Sequence, residues 1–214
     1  MKSYLRFLSR NKLYTAIEIL GLSVAIAVTI PLLSYMLKIN ETNHSHPDYK
    51  NIYSLSASRM QCSSPGIGKY LQENIPEIEI VSSPSHLSGN YTFEVEGKLA
   101  TYIRYDRNFL YFFPHEFIEG GLDTEAKTAM AISESLANEL SKNGPVIGRS
   151  LNLDNETYTV SGIFKDIDDP RFKRYDMMIP RIDNPNEYDM VFWGNNILVM
   201  TFIKAQVGTD YETL

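Results

Sequence analysis

The chain has 214 residues, a net charge of −6 and 43% hydrophobic residues. This length is enough for a domain of ordinary size with its own hydrophobic core. The acidic balance argues against nucleic-acid binding, because domains of that kind carry clustered Lys and Arg. The chain has one cysteine, Cys62, which excludes an internal disulfide, so packing has to hold the fold together.

An apolar segment near the N-terminus dominates the sequence. Residues 13–37 read LYTAIEILGLSVAIAVTIPLLSYML, and no charged residue occurs from Ile19 to Leu37. At 1.5 Å per residue, a helix of this length extends about 37 Å, which spans a hydrocarbon core of about 30 Å with some tilt. The sequence therefore predicts a transmembrane helix over residues 13–38, between a cytoplasmic segment 1–12 and an exported domain 39–214.

The charges that flank this span predict its orientation. Four basic residues precede it, and the first acidic residue is Glu18. Basic flanks stay on the cytoplasmic side, so we expect the N-terminus in the cytoplasm of a bacterium, the span in the inner membrane and the larger part in the periplasm. The four cations either form the polar face of a short interfacial helix or act only as a positive flank. They are Lys2, Arg6, Arg10 and Lys12.

A cleaved signal peptide is the main alternative to an anchor. Signal peptides have apolar regions of about 7 to 15 residues, followed by a small-x-small cleavage site. The apolar run in this chain is longer, and Ser34-Tyr35-Met36 is a poor cleavage site. Both features favour an anchor that is not cleaved.

Small residues inside the span are candidates for helix packing. Gly21 and Ala25 are four residues apart, and so are Ser23 and Ala27. Such small-xxx-small pairs let a second helix approach closely, although they are also frequent by chance in membrane helices. We therefore predict a packing role for these four residues.

The pattern of residues 39–214 is that of a mixed α+β domain, because strands and helices alternate without a regular βαβ order. Residues 39–50 are polar and rich in turn formers, which predicts an exit loop. Ser133 before ESLANELS predicts a capped helix, and Gly97 and Asp154-Asn155 are expected at the turns of two hairpins. The predicted strands cover 51–58, 78–81, 91–95, 99–105, 130–132, 151–153, 157–164, 176–179 and 198–205, with helices at 64–74, 108–113 and 134–141 and a loop at 117–121.

Motifs that would indicate catalysis or metal binding are incomplete. The segment Gly66-Ile67-Gly68-Lys69 lacks the first glycine and the final Ser or Thr of a phosphate loop. His44 and His46 have no third ligand at a zinc-binding spacing, so a solvated loop is favoured over a metal site. We therefore predict no catalytic, cofactor-binding or metal-binding residues, and a protein that is not an enzyme.

Residues 132–168 resemble a known family. The stretch reads ISESLANELSKNGPVIGRSLNLDNETYTVSGIFKDID. It is similar to the MacB-like periplasmic core domain of FtsX-family ABC transporter permeases, and the N-terminal stretch RFLSRNKLYTAIEILGLSVAIA resembles the entry to the first membrane helix of that family. The matching features are Ile132-Ser133-Glu134 at the end of a strand, Pro145 and Gly148 in a linker, and Val160-Ser161-Gly162-Ile163-Phe164 before Asp166.

The resemblance implies an inner-membrane permease component of an ABC transporter, of the efflux or mechanotransmission type. In that family a cytoplasmic ATPase subunit hydrolyses ATP and thereby moves the periplasmic domain. The implied partners are this ATPase, a second copy in a homodimer or a paired permease, the membrane and a periplasmic adaptor. Since such permeases have further membrane helices after this domain, the chain is expected to be the first part of one, incomplete at its C-terminus. The alternative is a stand-alone membrane-anchored periplasmic sensor or binding module, which predicts a ligand pocket.

Overall fold

The computed structural model describes residues 10–55, 63–64, 66–85, 91–153, 156–167, 174–181 and 199–209. The chain divides into two compact units, Met1–Ser45 and His46–Leu214. Within its described residues, the first unit contains one long helix, α1 (Lys12–His44). The second unit contains the sheets, and each unit is described by itself.

Helix α1 is longer than the predicted span. It has 33 residues and runs through Pro31 to His44 as one element. Its stretch Lys12–Thr42 is long and apolar enough, by length and composition, to cross a membrane. The predicted exit loop is wrong for its first part, because residues 39–44 are helical.

Polar side chains bond to the backbone in the last turns of α1. Thr42 donates its hydroxyl to the carbonyl of Lys38 at 2.8 Å, and Ser45 donates to the carbonyl of Thr42 at 2.8 Å. The Nδ1 atom of His44 lies 2.6 Å from the carbonyl oxygen of Asn40. The carbonyl of Thr42 is one of the last four of the helix, which no following turn supplies with N–H partners, so Ser45 caps it, whereas Lys38 and Asn40 lie within the regular hydrogen-bond ladder. The residues that resemble a loop by composition therefore extend the helix beyond its apolar part.

The second unit contains ten strands and three α-helices within the described residues. The helices are α2 (Ile67–Asn74), α3 (Phe109–Phe112) and α4 (Glu134–Leu140), with short 3-10 turns at Tyr49–Asn51 and Ser141–Asn143. The strands are β1 (Ile52–Ser54), β2 (Ile78–Ser82), β3 (Thr92–Val95), β4 (Lys98–Tyr105), β5 (Phe117–Gly120), β6 (Ala129–Ser133), β7 (Ser150–Leu153), β8 (Glu156–Phe164), β9 (Met177–Pro180) and β10 (Phe202–Ala205).

Three of the strands form a small sheet in the order β1–β10–β2. Both outer strands run antiparallel to β10, although β10 comes last in the sequence. Helix α2 connects the two outer strands and packs against β2. The buried centre of this layer consists of Ile78, Val81 and Ile203.

The remaining strands form a seven-stranded sheet in the order β3–β4–β9–β6–β8–β5, with β7 also paired to β8. The β4–β9 and β6–β8 pairs are parallel, and the other pairs are antiparallel. Every residue of β6 and β9 is buried. Strands that are covered on both faces read as continuous apolar runs, which explains the sequences AMAIS and MMIP.

Two hydrophobic clusters cover opposite faces of the large sheet. Successive side chains of a strand point to opposite faces, so Met177 and Ile179 join one cluster and Met178 joins the other. The first cluster is closed by α4 and the second by Phe109 of α3. Phe202 of β10 packs against the second cluster, which links the small sheet to the large one.

Most of the predicted elements and the α+β fold class are confirmed. Hairpins β3–β4 and β7–β8, the central strands β6 and β9 and the helices α2, α3 and α4 lie close to their predicted positions. Ser133 caps α4, because its Oγ accepts the backbone N–H of Leu136 at 3.3 Å. The predicted turn Asp154-Asn155 and the strand ends 56–58 and 198 lie outside the described residues.

One predicted loop is a strand. Residues 117–121 include β5, which pairs antiparallel with β8 at the sheet edge. Glycines permit the close approach of the two backbones: a Cβ atom at Gly162 would lie 2.6 Å from the carbonyl oxygen of Gly121. The short segment has no alternating pattern, and its pairing depends on β8, so local sequence does not reveal it.

Gly68 packs helix α2 closely on strand β2. A Cβ atom at this position would lie 2.6 Å from Cγ1 of Val81 and 2.7 Å from Oγ of Ser83. Contacts this short do not occur between real side chains without movement of the neighbours. This glycine of the segment 66–69 therefore has a packing role.

We predict that Gly68→Ala destabilises the domain, because the added methyl group overlaps two neighbouring side chains. Overpacking of this kind costs about 1–3 kcal/mol. Urea unfolding of the full chain in detergent, followed by circular dichroism, measures the loss. Gly121→Ala is the matched control, because a Cβ atom there has no heavy atom within 4 Å. Equal stability of the two variants would contradict the packing role of Gly68.

Candidate functional site

Side chains from three elements hold the first residues of the second unit against the domain. The Nε2 atom of His46 lies 2.7 Å from the carbonyl oxygen of Tyr111, and Nδ1 accepts the backbone N–H of Asp48 at 3.1 Å. Tyr111 donates its hydroxyl to the carboxylate of Asp48. The ammonium group of Lys204 lies 3.7 Å from Asp48 and 2.8 Å from Glu79. We call these five residues the joint cluster.

Local structure explains how the joint cluster is assembled. In α3, Phe109 and Phe112 are buried, which leaves Tyr111 on the outer side of the helix. In β10, Ile203 and Ala205 are buried, so Lys204 points to the opposite face of the small sheet. Asp48 begins the 3-10 turn at Tyr49–Asn51, where its carbonyl accepts the N–H of Asn51 at 2.8 Å.

The charges of the joint cluster support one another. The hydrogen bond from Tyr111 lowers the pKa of Asp48, and the charge of Lys204 adds to this effect. The hydrogen bond to Glu79 raises the pKa of Lys204, and burial raises the pKa of Tyr111. At neutral pH the cluster therefore contains a carboxylate, an ammonium group and a neutral hydroxyl donor. The ring of Tyr111 also lies 5.7 Å from the Lys204 nitrogen and 5.1 Å from the His46 ring.

A second polar network, which we call the inter-sheet network, joins the two sheets. Asp106 follows β4, and its carboxylate accepts the Ser82 hydroxyl at 2.8 Å, the backbone N–H of Ser83 and the backbone N–H of Asn108 at 3.1 Å. Arg181 follows β9 and donates to the carbonyl of Ser83 at 2.7 Å. Burial raises the pKa of Asp106, while its hydrogen bonds oppose that rise. The network fixes the end of β2 to the parallel pair β4–β9.

A cavity of about 270 Å³ lies beside the inter-sheet network, at the ends of β4 and β9. Ligand sites usually enclose about 300–1,000 Å³. The carboxylates in its wall are engaged within the protein, because Asp106 belongs to the network and Glu125 pairs with Arg107. Contacts within the protein therefore account for the carboxylates of this cavity, and no ligand is needed to explain them.

The predicted packing residues do not form one face of α1. At about 100° per residue, the pair Gly21–Ala25 lies about 200° around the helix from the pair Ser23–Ala27. All four residues are exposed, and the Ser23 hydroxyl is donated to the carbonyl of Ile19 at 2.7 Å. A single partner helix can contact only one of the two pairs, so the packing role stays a prediction for either pair.

The other predicted residues are distributed as follows. Arg10 and Lys12 are exposed at the start of α1, whereas Lys2 and Arg6 lie outside the described residues. His44 bonds to its own helix, whereas His46 belongs to the joint cluster. In the part of the chain that the structure describes, no group of three or more His, Cys, Asp or Glu residues is arranged to hold a metal ion. From the sequence, His46 was considered as a possible zinc ligand, and no role was given to Asp48, Glu79, Tyr111 or Lys204.

Comparison with known proteins decides the family. The family model of the MacB-like periplasmic core domain matches residues 15–214. The chain belongs to this family. The match confirms the resemblance seen in residues 132–168 and extends it over nearly the whole chain, including most of α1.

Two solved structures show the same fold, and a third shows a more limited similarity. A domain of a protein assigned as a permease from Porphyromonas gingivalis is 22% identical, with a TM-score of 0.62 over 79% of this chain and 82% of that chain. The periplasmic region of MacB from Actinobacillus actinomycetemcomitans is 14% identical, with a TM-score of 0.50 over 76% of each chain. The extracellular domain of the ABC-type transporter YknZ from Gram-positive bacteria is 12% identical, with a TM-score of 0.47 over 73% and 83%. Among curated proteins, no sequence matches this chain.

We predict that Tyr111→Phe raises the pKa of Asp48 towards the ordinary aspartate value of 3.8, because the variant lacks the hydroxyl donor. A lowered carboxyl pKa stabilises the folded state above the ordinary value, and the stabilisation is lost as the pH falls through the lowered value. The variant should therefore lose this acid-sensitive part of its stability. NMR titration of the Asp48 side chain in the full chain measures the shift.

The matched control is Tyr91→Phe, which deletes the same hydroxyl from an exposed tyrosine beside β3. In this variant the pKa of Asp48 should be the same as in the unchanged chain. An Asp48 pKa that is equally low in the Tyr111→Phe variant would show that Tyr111 does not stabilise the carboxylate.

Proposed function

We propose that this chain is a component of an inner-membrane ABC transporter permease, in which ATP hydrolysis by a separate subunit moves the exported domain. The family match over residues 15–214 carries the proposal. The membrane-length helix α1 supports it, because a periplasmic domain has to receive movement from the cytoplasmic side through the membrane. In this scheme the chain acts by mechanical coupling and by contact, and it performs no chemistry of its own.

The flanking charges support an orientation with the N-terminus in the cytoplasm. Arg10 and Lys12 precede the apolar part of α1, and Lys2 and Arg6 extend the basic flank. Basic residues near a span are retained on the cytoplasmic side. The second unit, with its excess of acidic residues, then lies in the periplasm.

The length of α1 suggests how movement is transmitted. Its 33 residues extend about 50 Å at 1.5 Å per residue, which exceeds a hydrocarbon core of about 30 Å. The helix therefore continues beyond the apolar span. A flexible loop in the place of these last turns would absorb the displacement. Ser45 caps the helix, and the joint cluster begins at the next residue. We infer that displacement of the helix end reaches the domain through this short connection.

Partners follow from the same scheme. One of the two small pairs on α1 would pack against a helix of a second copy or of a paired permease, in a homodimer or a heterodimer. The cytoplasmic end would meet the ATPase subunit, and the exported sheets would contact a periplasmic adaptor. The substrate and its direction of transport lie outside this proposal.

The proposed orientation predicts that Cys62 is labelled from outside the inner membrane. Cys62 is the only cysteine in the chain and lies beyond α1, so a maleimide that does not cross membranes reports its side directly. In spheroplasts we expect the extent of labelling to be the same with and without permeabilisation. Replacing Lys2, Arg6, Arg10 and Lys12 by Glu should reduce that labelling, because the basic flank would no longer be retained inside. Labelling of the unchanged chain only after permeabilisation would contradict the orientation.

The proposed coupling predicts that an ATPase subunit stays with the chain during purification from membranes of the native host in mild detergent. The measurement is ATP hydrolysis that co-elutes with the chain in size-exclusion chromatography. Glu94→Lys, on an exposed position of β3, is a control that should not disturb the complex. Recovery of only free, monomeric chain without ATPase activity would argue against a working permease component.

A further inference from the structure

We propose that the joint cluster is sensitive to protons: protonation of His46 releases the first residues of the second unit from α3. The release follows from the contacts of the cluster. Its consequence, weaker coupling between α1 and the domain at acidic pH, rests on the proposed function. Both hydrogen bonds of the His46 ring carry the argument.

The two hydrogen bonds define the protonation state of the ring. A carbonyl oxygen can only accept, so the contact of 2.7 Å between Nε2 and the carbonyl of Tyr111 requires a hydrogen on Nε2. A backbone N–H can only donate, so the contact of 3.1 Å from the N–H of Asp48 requires a bare Nδ1. The observed geometry is therefore that of the neutral ring with its hydrogen on Nε2.

Adding a proton to Nδ1 is incompatible with this geometry. The new N–H would face the backbone N–H of Asp48 across the same 3.1 Å, and two donors repel each other. The ring can keep its contact with Tyr111 only if the Asp48 amide moves away, and it can avoid the Asp48 amide only by turning away from Tyr111. Either movement breaks one of the two hydrogen bonds of the His46 ring, which attaches the first residues of the second unit to α3.

The neighbouring charges do not provide an alternative site for the protonated ring. Asp48 would attract it from the same segment, but its carboxylate already accepts the Tyr111 hydroxyl and lies 3.7 Å from Lys204. Lys204 of β10 would repel the ring, and Glu79 of β2 is paired with Lys204 at 2.8 Å. A charged ring would have to compete with the existing partners of each carboxylate, so the protonated cluster rearranges.

The sequence position of His46 connects its protonation to the proposed coupling between α1 and the domain. It is two residues beyond the end of α1, and its partner Tyr111 belongs to the helix that closes the second hydrophobic cluster. If the proposed function holds, acid outside the inner membrane would uncouple the helix from the sheets. The regulated quantity would be the attachment of the segment, and the fold of the sheets would not change.

The test is a titration of the full chain in detergent from about pH 8 to pH 5, the range in which histidine side chains change charge. Nitrogen-15 NMR of the histidine rings identifies the tautomer of His46. Hydrogen exchange, corrected for its intrinsic pH dependence, measures the protection of the Asp48 amide. We expect the Nε2–H tautomer at high pH and a loss of protection of about fivefold when the ring protonates, as for one hydrogen bond.

Two glutamine variants make the result specific. His46→Gln cannot gain a proton, so protection of the Asp48 amide should no longer depend on pH in this range. His44→Gln is the matched control, because the His44 ring bonds to the carbonyl of Asn40 within its own helix, and this variant should keep the full pH dependence. An Nδ1–H tautomer at high pH, or protection that is unchanged while the ring protonates, would overturn the proposal. Neither outcome depends on an ATPase, so the result stands apart from the test of the proposed function.

Discussion

The hydrogen bond from the Tyr111 hydroxyl to the Asp48 carboxylate is the contact on which the mechanical interpretation depends. It connects the segment that leaves the membrane helix to α3, and α3 is anchored in turn by Phe109 and Phe112 in the core. Lys204 of the central strand β10 and Glu79 of the outer strand β2 extend the connection to the small sheet. A segment without these contacts would be a flexible tether, and a rigid helix attached to it could not direct the domain.

The central elements of the fold could be predicted because their signals are local. Apolar runs predict the buried strands β6 and β9, alternation predicts β4 and β8, and Ser133 predicts the start of α4. The elements that were predicted wrongly, β5 and the last turns of α1, are determined by contacts that short sequence patterns do not show. Strand β5 is defined by pairing with β8, and the last turns of α1 are formed by residues typical of turns, where Ser45 caps the carbonyl of Thr42.

The candidate site could not be predicted in the same way. His46 and Asp48 stand out as a polar group in the sequence, but their partner Tyr111 lies within the aromatic run FLYFF, where it looks like core. Lys204 is an ordinary exposed position of a predicted strand until the pairing of β10 between β1 and β2 brings it beside Glu79. Only the topology, with the last strand inserted between the first two, brings these residues together. The joint cluster is therefore a property of the fold, and no short motif encodes it.

The distribution of polar contacts suits the two tasks that the proposed function gives to the domain, which are to stay folded and to follow a moving helix. The inter-sheet network is largely shielded from water, and breaking buried hydrogen bonds of this type costs about 1–3 kcal/mol each. The ion pairs of the joint cluster are partly exposed, where a single pair contributes about 0–1 kcal/mol and is weakened by salt. The stronger network joins the two sheets, and in the proposed scheme the weaker cluster would open and close without unfolding them. A connection that has to respond to a moving helix needs this order of strengths, because the attachment must yield before the domain does.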